Sequence, residues 1–254
     1  MGGERALEKL REAFSVPGDG EIATKITCEV LGTNVIDKRW MKLNFSNLVE
    51  ETQLKAYAHY QNAERPAAAR AFRKVFSELL PKKPKPEDYF KLLDDNFWVL
   101  DRFFFELKQG RRSKAGKAFK QVIKALFTTL DYSYTSQPII NGQPDFLLPG
   151  IDHYRRNAMD CIIFAAKRSL CDRWRQLVTK ETRGPAFFLA TIDEGIGAKD
   201  LADMLANRIY LVMPERIRAE CYSSQANVIS FENFFQHYLD PAMTRWRANG
   251  VIPA

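Results

Sequence analysis

The chain of 254 residues sets 38 Lys+Arg against 31 Asp+Glu, for a formal net charge of +7, with 46% hydrophobic and 27% charged residues. This balance excludes wholesale disorder, and the length suffices for a buried core in one large domain or two small ones. No run of about eighteen apolar residues is present, which excludes a helical membrane span, and the opening MGGERALEKLREAF lacks the apolar core of a secretory signal, so secretion is not expected.

Residues 4–14 repeat apolar side chains at helical spacing and predict a short amphipathic helix, stopped by Pro17, Gly18 and Gly20. Ile22, Thr24, Ile26, Cys28 and Val30 alternate at period two, a strand pattern over 21–31. Two helices are expected over 47–61 and 66–80. The PKKPKP segment at 81–86 cannot lie inside a helix and is the candidate boundary. It divides a mostly helical extension, 1–85, from a core, 86–254. Residues 87–108 hold Tyr89, Phe90, Leu92, Leu93, Phe97, Trp98, Leu100 and Phe103 to Phe105. A ligand platform is one reading of that run; core packing of a buried helix is the expectation.

A helix with one apolar stripe is predicted over 111–130, from Ala115, Phe119, Val122, Ile123, Leu126 and Phe127. Between Leu107 and Leu130 stand seven basic residues and no acidic one: Lys108, Arg111, Arg112, Lys114, Lys117, Lys120 and Lys124. Positive charge at a helix start opposes the helix dipole unless an anion is bound there, so the run reads either as a solvated face or as a phosphate contact. Turn residues Asn141-Gly142 precede a strand from Asp145 to Leu148. The apolar runs 161–166 and 186–191 are strands buried on both faces. Helices are expected over 169–181 and 199–206, a strand over 208–213, and a last helix over 230–239 capped by Ser230. Strands alternating with helices give an α/β fold with a mixed central sheet flanked by helices.

Four cysteines (Cys28, Cys161, Cys171, Cys221) and three histidines (His59, His153, His237) show no paired ligand spacing. A structural zinc site is not expected, and idle thiols suit a reducing cytoplasm.

Three ionisable residues stand at the ends of the predicted core elements: Asp145, Lys167 and Glu181. Two carboxylates and a lysine suit metal-assisted phosphodiester hydrolysis. Mg²⁺ prefers hard oxygen ligands, polarises a phosphoryl oxygen and activates water, while a lysine orients the nucleophile and offsets developing charge. Taken alone, such a trio is also what ordinary solvated strand ends look like.

The surrounding residues carry a resemblance. Pro144-Asp145-Phe146-Leu147-Leu148-Pro149-Gly150 with Tyr154 resembles the PDFLFPG…Y segment of EcoRII-type restriction endonucleases. Residues 166–176, AKRSLCDRWRQ, are similar to their AKTTCKDRWRQ, and 112–119, RSKAGKAF, to their RSRAGKxFE. Leu211-Val212-Met213-Pro214 and the helix at 230–239 are similar to the LVLP and closing SF-helix. These matches run in order over 111–240, and residues 1–85 carry none.

The resemblance implies a PD-(D/E)XK restriction-endonuclease-like core and a Mg²⁺-dependent type II site-specific deoxyribonuclease, with Mn²⁺ a possible substitute. It implies cleavage of double-stranded DNA at a short, near-palindromic site containing CC and GG, by a homodimer, each subunit cutting one strand to leave 5′ extensions. Asp145 and Glu181 would hold the metal, Lys167 would be the catalytic lysine, and Tyr154 would lie near the reaction. Asp172 and Arg173 would read a C·G pair, the carboxylate accepting from cytosine N4 and the guanidinium donating to guanine. Arg175, Arg111, Arg112, Lys114 and Lys117 would add DNA contacts. A companion DNA methyltransferase, a prokaryotic cytoplasmic location and no membrane association are also implied, and a separate N-terminal effector domain is not expected at this length.

Two positions depart from the family. Cys171 replaces a basic residue, and Lys120 replaces a glutamate thought to support a metal. The alternatives are a DNA-binding module whose catalytic centre has decayed, or a repair or mobile-element nuclease on the same core.

Overall fold

The computed structural model describes residues 3–16, 25–26, 28–30, 32, 37–140, 144–170 and 187–253. Among the described residues six strands form one mixed sheet in sequence order: β1 (Thr135–Ser136), β2 (Phe146–Leu148), β3 (Ile162–Ala166), β4 (Phe187–Ala190), β5 (Ile209–Met213) and β6 (Val228–Ser230). The first three are antiparallel neighbours, and β3 to β6 run parallel. The parallel half follows from the sequence. The runs IIFAA and FFLA are buried at every position, as strands covered on both faces must be.

Alternate residues feed two cores. Ile162, Phe164 and Ala166 face one, together with Phe146, Phe188 and Val212. Ile163 and Ala165 face the other, together with Leu147, Leu189 and Leu211. The first core is closed by α2 (Lys38–Leu43), by the first half of α3 (Phe45–Ser77) and by the last third of α5 (Phe97–Thr129), through Phe45, Val49, Phe119, Ile123 and Phe127. The C-terminal segment completes it with Phe231, Phe234, Phe235 and Trp246. The second core is closed by Leu201, Met204, Ile217 and Tyr222, from α7 (Ala198–Ala206) and from α8 (Glu215–Cys221) with its capping residue.

A third core is purely helical. Ala6, Leu7 and Leu10 of α1 (Gly3–Ala13) pack with Ala68, Ala71 and Val75 of α3 and with Val99, Phe103 and Leu107 of α5. Each long helix therefore serves two cores. On α5 no residue between Leu107 and Phe119 is buried, and that bridge carries five of the seven residues of the basic run, Lys108 to Lys117.

Several expectations change. The described residues between 25 and 30 are helical, not a strand; period two over so few positions does not outweigh tertiary packing, and Ile26 is buried beside Ala56. The two helices expected over 47–61 and 66–80 are one, α3, which continues through Pro66. It packs along α5 on both sides of the proline, in the first core before it and beside Val99, Phe103 and Leu107 after it.

The PKKPKP segment does stop a helix, and its last proline opens α4 (Pro86–Asp95), whose Asp88 carboxylate accepts from Lys85 N–H at 2.8 Å. Most of the aromatic run after it is not core. No residue of α4 is buried, and Phe90 and Phe97 are 69% and 72% exposed; only Val99, Phe103 and Leu107 turn inward. The helix expected to begin at 111 begins at Phe97, so the basic run lies mid-helix and the argument from a helix start falls. Ser230 caps α9 (Phe231–Phe234) as expected, accepting from Asn233 N–H at 3.1 Å, and the helical path continues beyond 239 through α10 (Asp240–Ala248).

Among the described residues no helix is long and apolar enough to cross a membrane. Cys161 is buried and its thiol is pushed up to about 12 by burial and by the charge of Asp160, which leaves it unreactive; Cys28 and Cys221 are exposed and free.

Candidate active site

Asp145 precedes β2, and its backbone still obeys the sheet. Its N–H donates to Phe164 O at 3.1 Å, and its carbonyl accepts from Gln137 N–H at 2.9 Å. Lys167 follows β3, and its N–H donates to Ala190 O at 2.9 Å, extending the pairing with β4. Because β2 and β3 are antiparallel, the start of one meets the end of the other. The two side chains therefore converge: Lys167 Nζ lies 3.2 Å from Asp145 Oδ2, which also accepts from Ala166 N–H at 2.8 Å.

A third group joins them. Lys120 leaves α5 next to the buried Phe119, and its Nζ lies 2.5 Å from Asp145 Oδ1. Asp145 is 3% exposed, so this carboxylate is stabilised by charge and hydrogen bonds in place of water.

The other expected residues are distributed as follows. Tyr154, on α6 (Ile151–Arg156), packs half-buried against the second core. Arg111 is tied to Glu64 of α3. Its Nε and Nη2 both lie 2.7 Å from Glu64 Oε1, and that hydrogen bond raises the guanidinium further above its ordinary value. Lys114 Nζ sits 4.5 Å from the centre of the Tyr60 ring. Arg112 and Lys117 are exposed. Asp172, Arg173, Arg175 and Glu181, together with Cys171, lie outside the described residues.

Sequence reasoning missed four partners. Glu64 is buried on the inner stripe of α3 between Tyr60 and Ala67/Ala68; an acid on an apolar helical stripe was the available signal. Tyr57 and Gln53 line a cleft with Tyr60, Arg111, Lys114 and Arg168, between α3 and the basic bridge of α5. Gln53 Nε2, in the cleft, and Glu64 Oε2, on the same helix, are buried with no hydrogen-bond partner among the described residues. Asp193, after β4, accepts from Leu170 N–H at 2.9 Å and Ser169 Oγ at 3.0 Å, fixing the chain as it leaves β3 towards Asp172 and Arg173.

Among the described residues no group of three or more His, Cys, Asp or Glu could hold a metal ion. By donor chemistry Asp145 fits a hard cation such as Mg²⁺, which often takes only one or two carboxylates. Its Oδ1, however, already faces the Lys120 ammonium.

A sheet of this topology, with an Asp and a Lys converging where β2 and β3 meet, defines the PD-(D/E)XK restriction-endonuclease fold. Solved structures agree. A metal-depleted Ecl18kI in complex with uncleaved DNA superposes with a TM-score of 0.80 at 18% identity, over 96% of this chain and 86% of that one. A PspGI–substrate DNA complex gives 0.59 at 16% identity, over 90% and 94%.

A profile of the EcoRII C-terminal family matches residues 90–235, and the chain belongs to that family. Two sequence relatives are the type II restriction enzymes SsoII of Shigella sonnei and EcoRII of Escherichia coli. The first is 22% identical over 52% of this chain and 47% of that enzyme; the second is 25% identical over 56% and 42%. The matched region thus spans less than half the length of either relative.

Proposed function

We propose that this chain is a type II site-specific deoxyribonuclease that hydrolyses phosphodiester bonds of duplex DNA at a short, near-palindromic site built from CC and GG. The observation that carries the reading is the meeting of Asp145 and Lys167, 3.2 Å apart across β2 and β3, within a chain of the EcoRII C-terminal family.

Hydrolysis forms a bond from a water oxygen to phosphorus and breaks the bond from phosphorus to O3′, and a proton must reach the departing oxygen. Mg²⁺, or Mn²⁺ in its place, would be held by Asp145 and Glu181 and would supply positive charge that polarises the phosphoryl group and lowers the pKa of nearby water. Lys167 orients the attacking water and offsets the negative charge that grows on the phosphoryl oxygens. Tyr154 lies on the helix after β2 and supports the reacting region.

Arg112 and Lys117 contact backbone phosphates from the exposed face of α5, and Arg111 and Lys114 do so from the cleft. Asp172, Arg173 and Arg175 read the base pairs. A two-fold DNA site calls for a homodimer, with each subunit cutting one strand to leave 5′ extensions. Residues 1–85 form an extension that completes the DNA cleft or the dimer, beside the core of 86–254. The activity fits a prokaryotic cytoplasm, with a companion DNA methyltransferase protecting the host sites.

The test is a digest of a fully sequenced plasmid in Mg²⁺, with EDTA and Lys167→Ala as controls. Discrete bands that vanish in EDTA and in the variant are expected, and their mapped ends give the site. No cleavage in Mg²⁺ or Mn²⁺, with salt-sensitive DNA binding retained, overturns the enzyme and leaves the decayed DNA-binding module. Lys120 on Asp145 is the observation that favours that second reading.

A further inference from the structure

Asp145 carries one negative charge, yet two ammonium groups face it. Lys120 Nζ takes Oδ1 at 2.5 Å, while Lys167 Nζ and Ala166 N–H take Oδ2 at 3.2 and 2.8 Å. A Mg²⁺ ion bound to Oδ1 would sit about 2 Å from that oxygen, within the space the ammonium holds. Both cannot occupy it, because like charges at such separations in a partly desolvated place repel strongly. The backbone at Lys120 is fixed, since Phe119 is fully buried in the first core. The side chain is 28% exposed, so the ammonium has solvent to move into.

We propose that Lys120 is a built-in competitor for the divalent cation at Asp145: its ammonium occupies the cation position on Oδ1, and a divalent ion binds there only by driving it out. This rests on the reading of Asp145 as a cation-holding residue. A consequence follows for DNA. A backbone phosphate at the site offers the displaced ammonium a new counter-ion, so duplex and cation favour each other's binding, and by linkage the effect is reciprocal.

The test is Mn²⁺ alone titrated into the full chain, with free Mn²⁺ read by electron paramagnetic resonance. Lys120→Met and Lys120→Gln are compared with the wild type, and circular dichroism checks that each is folded. Both variants are expected to bind Mn²⁺ about tenfold more tightly or better, because the competing charge is gone. Adding Asp145→Asn to Lys120→Met removes the gain, and Lys120→Arg stays as weak as the wild type. Two variants of different shape keep the test valid if one misfolds. Equal Mn²⁺ binding by the wild type and both variants overturns the competitor and leaves the nuclease reading standing. Mn²⁺ bound by none of the three overturns the competitor together with the assignment of Asp145 as a cation site.

Discussion

Arg111 and Arg112 are adjacent in sequence and differ in what holds them. Arg111 is clamped by Glu64, whose side chain is 3% exposed, whereas Arg112 stands in solvent. Glu64→Gln removes the charge that holds Arg111 and is expected to cost about 3 kcal/mol, at the lower end for a broken buried pair, because Arg111 can turn outward. Thermal or denaturant unfolding measures it. Arg112→Ala is expected to leave stability unchanged and to reduce the slope of log affinity against log salt by about one, the signature of one lost phosphate contact. A fluorescence titration over a salt series gives that slope; an unchanged slope removes Arg112 from the interface. The sequence presents both as members of one basic run, and only the partner across the fold separates them.

At the scale of elements, α5 divides its aromatic residues between two environments. Phe103 is 2% exposed and packs edge-on against Phe14 and Phe72, while Phe90 of α4 and Phe97 of α5 face outward. Phe103→Ala is expected to cost about 3–5 kcal/mol through the cavity it leaves. Phe90→Ser is expected to stay within about 0.5 kcal/mol of wild type. Urea unfolding of the two variants checks the contrast, and a large loss for Phe90→Ser would show that this face is covered in the protein's working state. The hydrophobic run reads as core in sequence because composition does not say which side of a helix has a neighbour. Helical spacing separates Phe103 and Leu107 from Phe104 and Phe105, but the partner, α1 with the second half of α3, is brought in from far along the chain.

Over the whole molecule, Asp160, in the short turn before β3, ties the C-terminal helix α10 to α6. Its carboxylate meets His153 Nε2 at 2.8 Å, Arg245 Nε at 2.7 Å and Trp246 Nε1 at 3.0 Å. Burial works against its ionisation, but these hydrogen bonds and the Arg245 charge hold the carboxyl below its ordinary value. A carboxylate depressed in the folded state contributes stability that is full above its unfolded pKa, about 4, and is lost as pH falls through the lower folded value. Asp160→Asn is therefore expected to cost about 2 kcal/mol at pH 7, in the range of hydrogen bonds to a charged group, and progressively less below pH 4. Melting temperatures of both proteins from pH 7 to pH 3 test this; parallel curves would sink it. The basic bridge of α5 is also a property of the whole, because it lies where the α3–α5 pair passes from the helical core to the sheet core.

The sequence by itself determined the four central strands β2 to β5, the Ser230 cap, the positions of Asp145 and Lys167 at strand ends and, through segments such as PDFLLPG, the family; the short edge strands β1 and β6 came only with the fold. These are local: continuous apolar runs, caps and contiguous motifs carry their meaning within a few residues. The tertiary structure alone decided that α3 runs through Pro66, that residues around Ile26 are helical, and that Phe90 and Phe97 face outward. It also decided the two pairings that matter for the site, Glu64 with Arg111 and Lys120 with Asp145. Each joins residues 47 and 25 positions apart, on elements whose meeting is set by core packing. A charge's partner is a fact of proximity, and proximity at that separation is fixed by the fold.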